Sequence, residues 1–214
     1  MRAAELILRE SKTRLEEWSR LKGDDYQLVL AGHSMGAAVA TLVGILLRER
    51  RGTSKFLSTP LCFAFACPPV VSRNLAIACE PWVLSFVYDL DCVPRMSVTS
   101  LMTLIGEFHP VDDDSEFSTK ESVLLYPGGR IIHITSDSPA RKGLMPPEDC
   151  TKILVSPRMI ESHLIGNYME KLCELAHSAS SQHRDVPFST AHSFQALKDM
   201  IQRVGINEAS GSPT

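Results

Sequence analysis

Apolar residues recur along this chain with two different periods, and the switching between them predicts the order of its elements. Over residues 2–22, Ala4, Ile7, Leu8, Ser11, Leu15, Trp18 and Leu21 fall near helical spacing, with Arg and Glu filling the other face, as in an amphipathic helix. Gly23-Asp24-Asp25 is a stop and a turn. Tyr26 to Ala31 is then an almost unbroken apolar run, expected at the centre of a parallel sheet. A helix follows from Ala37 to Leu47, with Gly36, Ala37, Ala38 and Ala40 on its early turns, where small side chains permit close packing on a sheet. It ends in the basic run Arg48-Glu49-Arg50-Arg51-Gly52, read as a solvated helix end where cations are favourable.

A second buried strand, Leu61 to Ala66, is stopped by Cys67-Pro68-Pro69. A helical stretch from Asn74 to Cys79 leads to a third strand, Val83 to Val87. This β-α-β-α-β alternation argues for an α/β fold built on a parallel sheet. Beyond it the pattern predicts a helix over Ser97 to Phe108 with Leu101, Leu104, Ile105 and Phe108 on one side. Ser122–Tyr126 and Arg130–Thr135 flank Pro127-Gly128-Gly129 and read as a hairpin. A loop over 136–149, a short strand Lys152–Val155 and a helix from Leu164 to His177 complete the reading of an α/β domain spanning 1–177. Residues 178–214 read as a polar C-terminal tail with one helix, Ala191 to Val204.

Composition changes this picture mainly by exclusion. The 214 residues suffice for one domain with a substantial core. The net charge of −3 and the lack of a Lys/Arg cluster argue against a nucleic-acid partner. No apolar run approaches the ~20 residues of a membrane span. The acidic segment 110–121 lacks the alternating ligands and glycine of a calcium loop, and is read as a solvated insertion. The six cysteines form no C-x-x-C pair and several lie in apolar runs, so they are expected as buried free thiols in a reducing, intracellular compartment. No cofactor and no metal is expected.

The candidate chemistry lies in Leu30–Val39, LAGHSMGAAV. Gly32-x-Ser34-x-Gly36 between a strand and a helix is the pattern of a nucleophile elbow, in which the glycines remove side chains that would collide at a strained turn. The bland alternative is a strand-to-helix turn with Ser34 as an ordinary N-cap. A serine nucleophile needs a histidine base, and that histidine needs a carboxylate. Asp89 and Asp91 both follow the third strand; Asp91 precedes Val93-Pro94, which stiffens its loop, and the residues by themselves lean only modestly towards it. Of seven histidines, His33 adjoins the serine, and an elbow is expected to point neighbouring side chains apart. His133 lies in the apolar run IIHI and reads as structural; His109, His177, His183 and His192 lie before the hairpin, at a helix end or in the tail. His163, after the last strand and next to a helix start, is the expected base.

Four segments in order, GHSMGAAVATL, FACPPVVS, DCVPRMS and SPRMIESHLIGNYME, resemble the class 3 (fungal-type) lipases, and within them the sn1-specific diacylglycerol lipases most. The likeness runs from the first helix to about residue 175. It implies an α/β-hydrolase fold, with Ser34 as nucleophile, Asp91 rather than Asp89 as acid and His163 as base. The backbone N–H of Met35 is expected to supply one oxyanion donor. The resemblance also implies that the family domain has a further stretch ahead of this first helix, carrying early strands, a lid and the second donor, so the chain is expected to be N-terminally truncated. The expected activity is hydrolysis of acylglycerols through an acyl-enzyme, with a lipid ester as substrate and peripheral membrane contact. A thioesterase or carboxylesterase of the same fold, and a catalytically silent lipid- or partner-binding module, are the competing readings.

Overall fold

A computed structural model of the chain describes residues 1–22, 26–50, 54–108 and 124–180. The turn at 23–25, the acidic segment, His109, the polar tail beyond 180 with its expected helix, and the end of the basic run lie outside the described residues.

Helix α1 (Arg2–Lys22) leads to strand β1 (Val29–His33), helix α2 (Met35–Glu49) and a single helical turn, α3 (Lys55–Ser58). Strand β2 (Leu61–Phe65), helix α4 (Arg73–Cys79) and strand β3 (Val83–Tyr88) follow. After them come helix α5 (Val98–Phe108), strands β4 (Arg130–Ile134) and β5 (Lys142–Leu144), and helix α6 (Ile165–Ser180). The five strands form one sheet in sequence order. β1 to β4 pair in parallel, and β5 runs antiparallel to β4.

Side-chain size along the strands decides which helix covers which face. On β2, Cys62 and Ala64 point to the side occupied by α2, where they pack with Ala37, Ala38, Ala40 and Trp82. Phe63 and Phe65 point the other way, into a cluster with Leu84, Phe86, Tyr88, Ile132, Ile134 and Tyr168 of α6. Period-two alternation thus gives one shallow face that admits α2 closely and one bulky face that meets α6. A side chain at Gly44 would collide with the Trp82 ring, which shows how closely α2 lies on its neighbours. A third cluster, Ala4, Leu8, Leu28, Val43, Leu47, Phe56 and Leu57, fastens α1 to α2 and α3.

The structure corrects several expectations. β1 starts at Val29, three residues later than the apolar run, and lies at one edge of the described sheet rather than at its centre. Apolarity reports what covers a strand's faces and is silent about its hydrogen-bonding edges. Pro127-Gly128-Gly129 does not turn a hairpin. Tyr126 instead bridges Val71 across the sheet end, with Tyr126 N–H donating to the Val71 carbonyl at 2.8 Å. Gly128 accepts from Ser85 Oγ at 2.7 Å, and Gly129, at φ +76°, lies so close to Val83 that a Cβ would strike its backbone. A Cβ at Gly128 would crowd Thr41 of α2, so the two glycines serve close approaches to α2 and β3 as β4 starts in parallel register. The antiparallel partner of β4 is β5, three exposed residues inside the stretch read as loop, with no alternation to betray them. Residues 152–155 join no strand; Leu154 and Val155 are exposed and line a cleft with α5.

Candidate active site

Ser34 occupies the step between β1 and α2 at φ 57° and ψ −126°. Its N–H still donates to Phe65 O at 2.9 Å, as if β1 continued, while its carbonyl already accepts from Ala37 N at 3.0 Å, as in a helix. Strand pairing on one side and helix bonding on the other hold a non-glycine residue in a conformation that costs about 1–3 kcal/mol. The side chain makes no capping bond to α2, so the ordinary N-cap reading does not describe it. Only one flanking glycine is sterically required. A Cβ on Gly32 would press into the Gly36 carbonyl, whereas a Cβ on Gly36 would meet nothing within 4 Å.

The freed hydroxyl lies 2.9 Å from His163 Nε2. His163 ends a 3-10 turn, Glu161–His163, just ahead of α6. Its Nδ1 is 3.2 Å from both carboxylate oxygens of Asp91. A carboxylate accepts, so Nδ1 carries the hydrogen and Nε2 presents its lone pair to the serine. Asp91 is fully buried beyond the end of β3. Its Oδ1 accepts from Val93 N at 2.9 Å, where Val93-Pro94-Arg95 forms a 3-10 turn, and its Oδ2 accepts from Tyr168 Oη at 2.7 Å. The structure therefore brings Ser34, Asp91 and His163 into one hydrogen-bonded chain.

Asp89 stands apart from this chain. It has φ 44°, its carboxylate pairs with Arg158 at 3.2 Å, and its carbonyl accepts from His133 Nε2 at 3.0 Å. Both contacts tie the segment leading to His163, and strand β4, to the end of β3. Met35 is the first residue of α2, where a backbone N–H has no carbonyl one turn earlier to bond.

Two neighbours of the triad escaped the sequence reading. Tyr168 is fully buried; besides its bond to Asp91, its oxygen accepts from Tyr88 N at 3.0 Å. Burial, followed by the Asp91 charge and the hydrogen bond to it, pushes the phenol's pKa well above its ordinary value, which keeps Tyr168 a donor. Its signal was present in the spacing Tyr168, Leu172, Leu175, which marks the inner face of α6. His33, set aside as a base because an elbow points neighbouring side chains apart, has its ring 4.7 Å from that of His163. His163 meets it from the segment before α6.

Several exposed residues adjoining the triad in sequence or on neighbouring elements are apolar. Met35 is 76% exposed, and Met96, Ile160, Leu164, Ile165 and Met169 are also exposed. Helix α5 adds Val98, Leu101, Met102, Ile105 and Phe108, with Ser100 its one buried residue. A cleft of about 360 Å³ runs between α5 and residues 152–155, lined by Leu104, Phe108, Ile153, Leu154 and Val155; no triad residue lines it. The cysteines among the described residues are unpaired, and burial pushes the Cys62, Cys67 and Cys150 thiols up to about 12. Among the described residues no group of three or more His, Cys, Asp or Glu could hold a metal ion, and no helix is long and apolar enough to cross a membrane.

Residues 1–101 match the family model described as Lipase (class 3). The chain is 36% identical to mouse diacylglycerol lipase-beta over 83 residues, which is 37% of this chain and 11% of that protein. It is 24% identical to human diacylglycerol lipase-alpha over 204 residues, 69% of this chain and 19% of that protein. The chain thus spans less than a fifth of these relatives. Among solved structures, lipase II from Rhizopus niveus aligns with a TM-score of 0.48 at 19% identity, covering 76% of this chain and 54% of that one.

Proposed function

We propose that this chain, whose residues 1–101 match the class 3 lipase family model, is a serine ester hydrolase of acylglycerols in which Ser34 is the nucleophile, His163 the base and Asp91 the acid. The observation that carries the proposal is the Ser34 Oγ to His163 Nε2 contact of 2.9 Å, with Nδ1 held by a buried carboxylate. As Oγ attacks an ester carbonyl, Nε2 takes its proton, and Asp91 stabilises the resulting imidazolium. The negative charge developing on the carbonyl oxygen faces the N-terminus of α2, where the Met35 N–H is one donor. Collapse of the intermediate returns the proton to the departing alcohol and leaves an acyl-enzyme. A water deprotonated by His163 then releases the fatty acid and restores Ser34.

The substrate class is supported by the diacylglycerol lipases among the relatives, and by the exposed apolar side chains of Met35 and Leu164 next to Ser34 and His163, and of α5. Such side chains suit contact with a lipid surface, where acylglycerols reside. The test is fatty-acid release from phosphatidylcholine vesicles containing diacylglycerol, beside hydrolysis of a soluble p-nitrophenyl ester and of an acyl-CoA. Ser34→Ala is expected to lower ester hydrolysis by roughly 10³-fold or more. Leu101→Glu with Ile105→Glu is expected to weaken turnover on vesicles and spare the soluble ester. Hydrolysis of acyl-CoA alone would reassign the chain as a thioesterase. A folded wild-type chain that cleaves none of the three would support a silent binding module instead.

A further inference from the structure

His33 touches the base twice, and neither contact belongs to the triad. Its Nε2 lies 2.9 Å from the main-chain carbonyl of His163, and its ring faces the His163 ring at 4.7 Å with a 33° tilt. A carbonyl oxygen only accepts, so His33 Nε2 carries a hydrogen and donates it. The carbonyl is well chosen for a clamp. It lies at the joint between the 3-10 turn Glu161–His163 and α6, where Leu164 is extended at ψ 127° while its N–H still donates to the Glu161 carbonyl. Tyr168 closes the arrangement, with its ring edge-on to His33 at 6.1 Å.

We propose that His33 is a positioning residue that holds His163 at its working distance from Ser34, and this rests on the Ser34–His163 reading above. His33 ends β1 and adjoins Ser34, so the position of its backbone is set by the same parallel pairing, His33 opposite Phe65, that fixes the nucleophile. Nucleophile and base are 129 residues apart in the chain. Through His33 the base is referenced to the same strand end as the nucleophile, rather than to a separate loop. Asp91 sets the tilt of the imidazole through Nδ1, and His33 sets the height of the backbone that carries it. Misplacement of a reacting group by about 1 Å costs on the order of 10²-fold in rate, and the loss falls on the chemical step rather than on ester binding.

The test compares His33→Gln, whose amide nitrogen can reach the same carbonyl, with His33→Asn, which has the same chemistry and is too short. Both are measured as the full chain against a soluble p-nitrophenyl ester, with melting followed by circular dichroism. His33→Asn is expected to lower kcat by about 10- to 100-fold with KM within twofold of wild type, and His33→Gln to recover most of that loss. Equal kcat values for the two folded variants, or an effect confined to KM, would overturn the positioning role while leaving the triad intact. An inert wild type would overturn the triad reading and this inference together. Should both variants melt far below wild type, their rate of labelling by a fluorophosphonate at low temperature decides: a faster His33→Gln supports the clamp, and equal rates remove it.

Discussion

The carboxylate of Asp91 accepts hydrogen bonds from three separate parts of the chain: His163, the Val93 amide and the Tyr168 hydroxyl. This division fixes its rotamer, so the imidazole meets a carboxylate that cannot swing away. The same hydroxyl satisfies the Tyr88 amide at the end of β3. Tyr168→Phe removes both bonds and leaves a buried N–H without that partner. It is expected to cost about 1–3 kcal/mol in urea unfolding, and on the order of tenfold in ester turnover if one such increment is lost from the transition state. Unchanged turnover in a destabilised variant would confine Tyr168 to a structural part. At this scale the sequence was legible where chain order and local stiffness carry meaning, as for Ser34 and His163. Asp89 and Asp91 could not be separated by their immediate neighbours, because the deciding contacts, Arg158 on one and Tyr168 on the other, come from far along the chain.

The elbow is defined by elements rather than by five letters. β1 must end, and α2 must begin, within one residue, and Ser34 absorbs the whole change of direction in its own φ and ψ. The two glycines of the motif are therefore unequal. Gly32→Ala drives a methyl group into the Gly36 carbonyl, a backbone clash expected to cost about 1–3 kcal/mol and to disturb Ser34. Gly36→Ala faces open space near the start of α2, and is expected to be neutral or stabilising by up to about 1 kcal/mol. Thermal melts with parallel ester assays check both; equal damage from the two would refute this asymmetry. Elements with strong periodicity, α1, α2, β2 and β3, were readable from the sequence within a few residues at their ends. The misreadings share one cause. Gly128 allows close approach to Thr41 of α2 and Gly129 to Val83 of β3, which looks like a turn in one dimension, while β5 exists because β4 offers it an edge.

At the scale of the molecule, the parallel sheet places the ends of β1 and β3 at the same end of the sheet, one on each side of β2, and the segment before α6 brings His163 to them. The α/β class followed from the alternation of elements alone. That β1 would lie at the edge of the described sheet did not, since no pattern in a strand reports who pairs with it. Every proposed step requires Ser34 to be a nucleophile activated by His163. The most direct measurement is peptide mass spectrometry of the full chain after reaction with a fluorophosphonate. The expected result is one adduct on Ser34, absent in Ser34→Ala and formed far more slowly in His163→Ala. A folded wild-type chain that takes up no label, or takes it up on another residue, would contradict the account.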